Sequence, residues 1–424
     1  MSVRHWPWSL FQHAILVQLI AYIVRPTAAY RALELGVPLT WLGLVAASFA
    51  IVPLFIAVFV GRIADIRGER LVLVVGSVLF VVSAAGLLFW TPTLAMLLAW
   101  IVLLGLGHLL SVVGQQSRVA KTADKRLDAA FGYYTVAGTM GQAAGPGVIA
   151  LVGGSNVLPP TSSLFLVAFI ASIVLLVPTG FLAQRQATAN ASLSGTTGSL
   201  RQALRTPKST RRRMLGAMSV SMMVLAAIDL LSVYLPALGV ERQIPASVIG
   251  ILLMVRAAAT IISRFFLGAL VARFGRDRLI VGSTAVSALA VALLVLPLDV
   301  WLLGAALVLA GLTLGIGQPL TMSVIALTAP AGTRGTWLAL RLSANRFGQS
   351  AVPAGVGLVA ASWGVPGVFA ATAAGLAIVA VTSGRINRSS GRCWHCQGIC
   401  GARRAGCPRG IGAGLPERPC SPPQ

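Results

Sequence analysis

The feature that most constrains this chain is an internal duplication with an offset of 207 residues. Three pairs of landmarks share this offset: the motif 61–68 with 268–275, the motif 141–146 with 348–353, and Gly43 with Gly250. Because three separated landmarks keep one offset, the chain consists of two copies of a unit of roughly 200 residues. Parallel repeats of this size in a strongly hydrophobic chain are typical of secondary transporters.

The composition shows which solvent surrounds the chain. Hydrophobic residues make up 57% of it, charged residues 10%, and the mean hydropathy is +0.86. A soluble domain carries about 25% charged residues. The stretches Leu71–Ser117 and Phe347–Gly384 contain no Asp, Glu, Lys or Arg, and each is long enough for two crossings at ~20 residues per crossing. These properties predict an integral membrane protein.

Turn and charge signals divide the chain into twelve apolar segments. They are 9–31, 41–60, 71–90, 94–117, 129–152, 162–182, 214–236, 246–267, 279–297, 300–327, 336–361 and 365–383. Backbone groups in hydrocarbon must be paired within a helix or a closed barrel, and these segments are too long for barrel strands. The predicted fold class is therefore an all-α membrane protein with twelve transmembrane helices in two six-helix bundles.

The predicted domain organisation follows the duplication. Residues 1–182 and 214–384 form the two bundles, and the polar residues 183–213 link them. Residues 385–424 form a basic tail, predicted to be disordered, which holds all five cysteines: Cys393, Cys396, Cys400, Cys407 and Cys420. Their spacing matches no standard pair of zinc knuckles, so no metal site is predicted.

The basic residues predict the orientation. With the N-terminus inside, 26 of the 33 Lys and Arg residues lie on the cytoplasmic side, two (Arg31 and Arg242) lie outside, and five lie within helices. This positive-inside asymmetry predicts a protein of the inner (plasma) membrane with both termini cytoplasmic. The net charge of +23 then belongs to loops that contact lipid, and no nucleic-acid partner is predicted.

The loop motif carries a resemblance to a known family. Gly61-Arg-Ile-Ala-Asp65-Ile-Arg67-Gly68-Glu-Arg70 resembles the loop between the second and third helices of the major facilitator superfamily. The segment from Gly268 through Gly275 resembles its copy in the second half. The resemblance implies transport by alternating access and a cytoplasmic gate loop in which Asp65 contacts the eleventh helix. Gly61 and Gly68 are expected to permit close helix approach and a tight reversal.

A second motif lies in the fifth predicted span. Gly132, Gly141, Gly145 and Pro146 are similar in spacing to a glycine motif of proton-coupled drug antiporters in that superfamily. The arginine that such antiporters carry in the fourth helix would fall at Ile101, so it is absent here. Two interpretations stay open, antiport and close helix packing, and the second extends to the repeat residues Gly348 and Pro353.

Polar groups inside the spans are the candidate solute and ion pathway. They are Arg25, His108, Asp229, Arg256, Arg341, Arg346, Gln115 and Gln318. A charged side chain in mid-membrane costs about 2.5–3.5 kcal/mol on insertion scales, so such residues normally face a partner or a wet cavity. For His108 the alternatives are packing and proton transfer. For the two glutamines, hydrogen bonds between helices are favoured over solute contact.

Two further hypotheses concern the charges. Because Asp229 is the only acid within the spans, it cannot pair with all the arginines. The surplus favours an anionic or carboxylate-bearing solute bound by guanidinium groups. Aligning Gly36 with its repeat counterpart Gly239 brings Asp229 opposite Pro26, one residue from Arg25. We expect Arg25 and Asp229 to pair as an outer gate that protonation of Asp229 would open.

The sequence therefore predicts a monomeric secondary transporter of a small solute, with proton coupling as a hypothesis. No constellation of nucleophile, base or metal ligands lies within the spans, so neither an enzyme nor a cofactor is predicted. Two alternatives remain open at this point: efflux of drugs or lipophiles by the same fold, and a sensor that does not transport.

Overall fold

The computed structural model describes residues 8–122, 127–184, 206–330 and 334–399, and within them every regular element is a helix. The helices are α1 (Trp8–Glu34), α2 (Leu39–Ile66), α3 (Glu69–Phe89), α4 (Leu94–Thr122), α5 (Leu127–Val152), α6 (Thr161–Gln184), α7 (Lys208–Glu241), α8 (Ala246–Phe265), α9 (Leu267–Phe274), α10 (Arg276–Leu293), α11 (Val300–Thr328) and α12 (Arg334–Ile399). We call the end with the turns at Gly36 and Gln243 the outer end, and the end with the turns at Gly68 and Gly275 the inner end.

The predicted segments coincide with these helices, with small differences at the edges. α7 begins six residues before the predicted start of its span at residue 214, and α9 is a short helix that the apolar pattern did not separate. α12 continues to Ile399, past the predicted domain boundary at residue 385. Most of the linker, residues 185–205, and the tail from residue 400 onward lie outside the described residues.

Ten helices in the described parts of the chain are long and apolar enough to cross a membrane. One of them is the 51-residue run Thr336–Ile386, more than twice the ~20 residues that one crossing needs. The predicted ninth span is carried by α10, whose first turn contains Arg276, Asp277 and Arg278. The chain is thus an all-α membrane protein, and the count of twelve crossings stays a prediction.

A backbone break divides α12 where the sequence places a joint between spans. Gly364 has φ 63° and ψ −163°, a conformation that L-residues avoid. The Val365 N–H donates to Oε1 of Glu241 at 3.3 Å. This carboxylate satisfies one of the free N–H groups at the start of the second part of α12 and ties that start to the end of α7.

The duplication is visible in the backbone of the two loop motifs. Gly68 precedes α3 with φ 87° and ψ 154°, and its counterpart Gly275 precedes α10 with φ 74° and ψ 155°. The tight reversal predicted at Gly68 is therefore confirmed. The close helix approach predicted at Gly61 is wrong for this structure, because a Cβ at Gly61 would meet nothing within 4 Å.

The other residues of the predicted gate loop do not support the predicted contact between this loop and the eleventh helix. Arg67 and Arg70 are exposed, and Gly268 has the same open surroundings as Gly61. The side chain of Asp65 lies outside the described ones. Its contact with the eleventh helix stays a prediction.

Replacing Gly68 with alanine should lower the free energy of unfolding by about 1–3 kcal/mol, because an L-residue at this φ and ψ is strained. The matched control is Gly61→Ala, seven residues earlier, where the helix is regular and the space is open. Chemical unfolding of the detergent-solubilised protein measures both. Equal stability of the two variants would show that the reversal at Gly68 accommodates a side chain.

Glycines in the second motif pack helices together within each bundle. A Cβ at Gly141 would collide with the carbonyl oxygen of Ile15 on α1, and one at Gly348 would collide with Met222 on α7. Gly348 and Met222 lie 207 residues after Gly141 and Ile15, so the two contacts are equivalent in the two repeats. A Cβ at Gly145 would lie 2.7 Å from Cβ of Tyr22 on α1. Close helix packing therefore accounts for Gly141, Gly145 and Gly348. The structure does not describe the side-chain surroundings of Gly132.

The two bundles meet at the outer end through a second pair of repeat-related contacts. A Cβ at Gly43 of α2 would collide with the Pro353 carbonyl and lie 2.9 Å from Cα of Gly357. A Cβ at Gly250 of α8 would collide with the backbone of Ala150. Gly250 lies 207 residues after Gly43, and Ala150 lies 207 residues before Gly357, so these two contacts are also equivalent in the two repeats. Close backbone approach of this kind needs glycine and closes the outer end.

Candidate functional site

A cavity of about 170 Å³ lies between the bundles and is lined by both. Four of the six predicted ionisable residues line it: Arg25, His108, Asp229 and Arg346. The other polar lining residues are Gln18, Tyr22, Gln142, Asn345 and Gln349. Gln18 and Leu225 in the lining are repeat-related, as are Gln142 and Gln349. The pseudo-symmetry of the chain therefore shapes this cavity.

The predicted contact between Arg25 and Asp229 is confirmed. Nη1 of Arg25 on α1 donates to Oδ1 of Asp229 on α7 at 2.7 Å. The two side chains are only 5% and 2% exposed. Because α1 and α7 belong to different bundles, this buried ion pair joins the two halves beside the cavity.

The second carboxylate oxygen of Asp229 extends the pair into a network. Nε2 of Gln349 donates to Oδ2 of Asp229 at 2.6 Å, and Oε1 of Gln349 accepts from Nη1 of Arg346 at 3.2 Å. The carboxylate of Asp229 thus binds both Arg25 and Gln349. The amide of Gln349 in turn joins this carboxylate to Arg346. Sequence reasoning left Gln349 out of the site, although the duplicated Gly-Gln motif signalled it.

Arg25 has donors that no described residue satisfies. Its Nε and Nη2 are buried and lack hydrogen-bond partners. The guanidinium lies 4.9 Å from the ring centre of Phe49, a cation–π contact. The ring of Phe49 also lies 5.1 Å from that of His108, whose Nδ1 has no partner either. The first bundle thus offers unused donors at the edge of the cavity.

Arg341 and Gln318 are not brought to the cavity lining. Nη2 of Arg341 donates to the Gln318 carbonyl oxygen at 2.9 Å and to its Oε1 at 2.7 Å. Nε2 of Gln318 in turn donates to the carbonyl of Ser221 at 2.7 Å. Carbonyl and amide oxygens within the second bundle therefore hold Arg341.

Arg256 differs from the other buried arginines. It is 3% exposed and does not line the cavity. No residue that the structure describes accepts a hydrogen bond from its guanidinium, and its Nε is buried without a partner. By contrast Nε of Arg264, two turns further along α8, donates to the carbonyl of Gly315 at 3.0 Å.

Gln115 belongs to a buried network around His13, a residue that sequence reasoning missed. Nε2 of Gln115 donates to Nδ1 of His13 at 2.7 Å, and the other ring nitrogen lies 3.2 Å from the Ser77 hydroxyl. An amide nitrogen only donates, so Nδ1 accepts and the His13 proton resides on Nε2. The hydroxyl of Tyr134 donates to Oε1 of Gln115 at 3.1 Å. Gln115 therefore joins helices of the first bundle, as predicted, and a lone histidine in an apolar span was the available signal.

Comparisons with known proteins agree with this architecture. The family model described as Major Facilitator Superfamily matches residues 13–243 and 217–387. No curated protein matches the chain. The similar solved structures include a POT family transporter in complex with 5-aminolevulinic acid, with a TM-score of 0.75 and 14% identity over 92% of this chain and 98% of that one.

Two further structures extend the comparison. The nucleoside transporter NupG has a TM-score of 0.71 and 14% identity over 90% of this chain and 99% of that one. A D-xylose-proton symporter has a TM-score of 0.71 and 14% identity over 89% and 96%. At such low identity these likenesses show the fold.

Proposed function

This chain belongs to the major facilitator superfamily and is a membrane transporter, and we propose that it carries a small anionic solute by alternating access. The cavity between the bundles is the proposed binding site. The contacts at Gly43 and Gly250, which close the outer end, support the assignment of this structure to an inward-facing state. The distribution of basic residues supports an inner-membrane location with both termini cytoplasmic.

The observation that carries the anion assignment is the charge around the cavity. Arg25 and Arg346 face a single carboxylate, that of Asp229. Two nitrogens of Arg25 have no partner in the described residues. A planar guanidinium with free donors binds a carboxylate in a two-pronged geometry. A solute carboxylate next to Arg25 and Arg346 would balance the charge and occupy these donors.

Proton coupling enters this proposal through Asp229. Protonation of its carboxylate would remove the charge that holds Arg25 and would leave the amide of Gln349 without its anionic acceptor. The ring of His108 lies tilted against that of Phe49 beside the ion pair, and His108 is the second group that we consider for proton transfer. Lipophile efflux and sensing without transport remain the alternatives to this proposal, and the assay below separates them.

Uptake of labelled solutes into proteoliposomes tests the proposal, with carboxylates and their neutral amides as matched probes. Carboxylates should enter and compete with one another, whereas the amides should not. Preferential movement of neutral lipophiles would favour the efflux alternative. Carboxylate binding without any flux would favour a sensor.

Replacing Arg346 with glutamine should weaken carboxylate binding about tenfold or more, since hydrogen bonds to charged groups contribute about 1.5–3 kcal/mol. Thermal stabilisation of the purified protein by the carboxylate probes measures the effect. Arg212→Gln is the matched control, because Arg212 is exposed at the start of α7. Unchanged carboxylate binding in the Arg346 variant would remove this residue from the binding site.

A further inference from the structure

Arg256 is a buried cation to which the proposed transport cycle has so far given no role. Its exposed fraction is 3%, and its Nε is buried without a hydrogen-bond partner among the described residues. Arg341 is also buried in the second bundle and Arg264 lies half-buried at the inner end of α8, but each donates to carbonyl oxygens. A guanidinium is costly to bury without acceptors, so its retention here needs a partner in another state of the molecule.

The helix geometry places Arg256 near the depth of Asp229. α7 and α8 run antiparallel and touch near the outer end, where a Cβ on Gly239 would lie 2.7 Å from Ile249. From this contact Asp229 lies ten residues further in along α7, or about 15 Å, and Arg256 seven residues further in along α8, or about 10.5 Å. The offset of ~4.5 Å, three residues at 1.5 Å per residue, is within the length of an arginine side chain.

Opening the outer end would take away Arg25, the cation that binds Asp229 directly, and leave Arg346 joined to Asp229 only through Gln349. Arg25 is on α1 and Asp229 on α7, so movement of one bundle against the other separates them. Gln349 stays with Asp229 because α12 belongs to the second bundle, but an amide does not neutralise a carboxylate. A buried charge that has lost its partner is strongly destabilising. Arg256 belongs to the same bundle as Asp229 and moves with it.

We propose that Arg256 is the alternate partner of Asp229, which it binds when the outer end opens and Arg25 is withdrawn. Arg256 is thereby a positioning residue that stabilises the outward-facing state by keeping Asp229 paired. This inference depends on the proposed alternating access, and it gives the carboxylate a cation in both states. No residue needs to change its protonation for the exchange.

The test measures how often the outer end is open. Spin labels on Trp41→Cys in α2 and Trp363→Cys in α12, both exposed near the outer end, report the opening by their separation. The five tail cysteines are replaced by serine, and the protein is placed in lipid nanodiscs. In Arg256→Gln the ratio of open to closed outer ends should fall about tenfold or more, because the open state then holds an unpaired carboxylate. Arg256→Lys keeps the charge and should largely restore the ratio.

The combination of Arg256→Gln with Asp229→Asn decides the mechanism. With the carboxylate removed, Arg256 has no anion to stabilise, so the double variant should have the same ratio as Asp229→Asn alone. An Arg256→Gln ratio equal to that of the parent protein would overturn the inference. So would a double variant that remains as closed as Arg256→Gln. If Asp229→Asn and Arg25→Gln also leave the open-to-closed ratio unchanged, the ion pair between Arg25 and Asp229 is not a gate. If only Arg256→Gln leaves the ratio unchanged, the gate hypothesis stands and the Arg256 exchange alone is wrong.

Discussion

Transport should be abolished by Arg25→Ala and by Asp229→Ala, and it should return in part when the two residues are exchanged. The Nη1–Oδ1 distance of 2.7 Å and the burial of both side chains make this an ion pair shielded from water. Removing one partner of such a pair costs about 3–5 kcal/mol because the other charge stays buried and unpaired. Exchange restores a pair of opposite charges across the two bundles.

Recovery should be incomplete because the neighbours of the two residues are not symmetric. Arg25 lies on the ring of Phe49, whereas Asp229 accepts a hydrogen bond from Gln349. After Arg25→Asp with Asp229→Arg, the cation–π contact is lost and the amide of Gln349 must turn to present its oxygen. Solute uptake is the measurement, and membrane insertion of each variant is the control. An exchange variant that transports no better than the single variants, at normal insertion, would contradict the gate hypothesis.

Tryptophan at Gly43 or Gly250 should hold the outer end open and stop the cycle. Each glycine lies where the backbones of the two bundles touch, and even a Cβ would collide there. Overpacking a close contact costs about 1–3 kcal/mol, so the closed state should lose roughly tenfold or more in population. Solute uptake should fall accordingly, while the folded protein persists in its open form.

Glycines of the same chain provide matched controls for this experiment. Gly180 of α6 and Gly282 of α10 are exposed, and a Cβ at either would meet nothing within 4 Å. Gly180→Trp and Gly282→Trp should therefore transport normally. Accessibility of the cavity to a thiol reagent from the outer side completes the measurement. Normal uptake by both Gly43→Trp and Gly250→Trp would show that the outer contact is not part of the cycle.

The helices and their duplication could be predicted from the sequence, because lipid leaves the backbone few choices. A polar backbone group in hydrocarbon must be paired within its own helix. The lengths of the apolar runs and their turn residues therefore located the helices, although α7 begins six residues before its predicted span and α12 continues to Ile399. The offset of 207 also related Gly68 to Gly275, and the alignment of Gly36 with Gly239 brought Asp229 next to Arg25, since equivalent residues in parallel repeats lie at equivalent depths.

The partners of the polar side chains were decided by the tertiary structure. A hydrophobic run determines the depth of a residue but not the face that its helix turns toward each neighbour. Arg341 and Arg256 are both buried arginines of the second bundle, yet Arg341 binds Gln318 whereas Nε of Arg256 has no partner among the described residues. Gln349 became the link between Asp229 and Arg346 only through the packing of α12 on α7. The sequence thus determined which charges enter the membrane, and the rotation of each helix determined which of them meet.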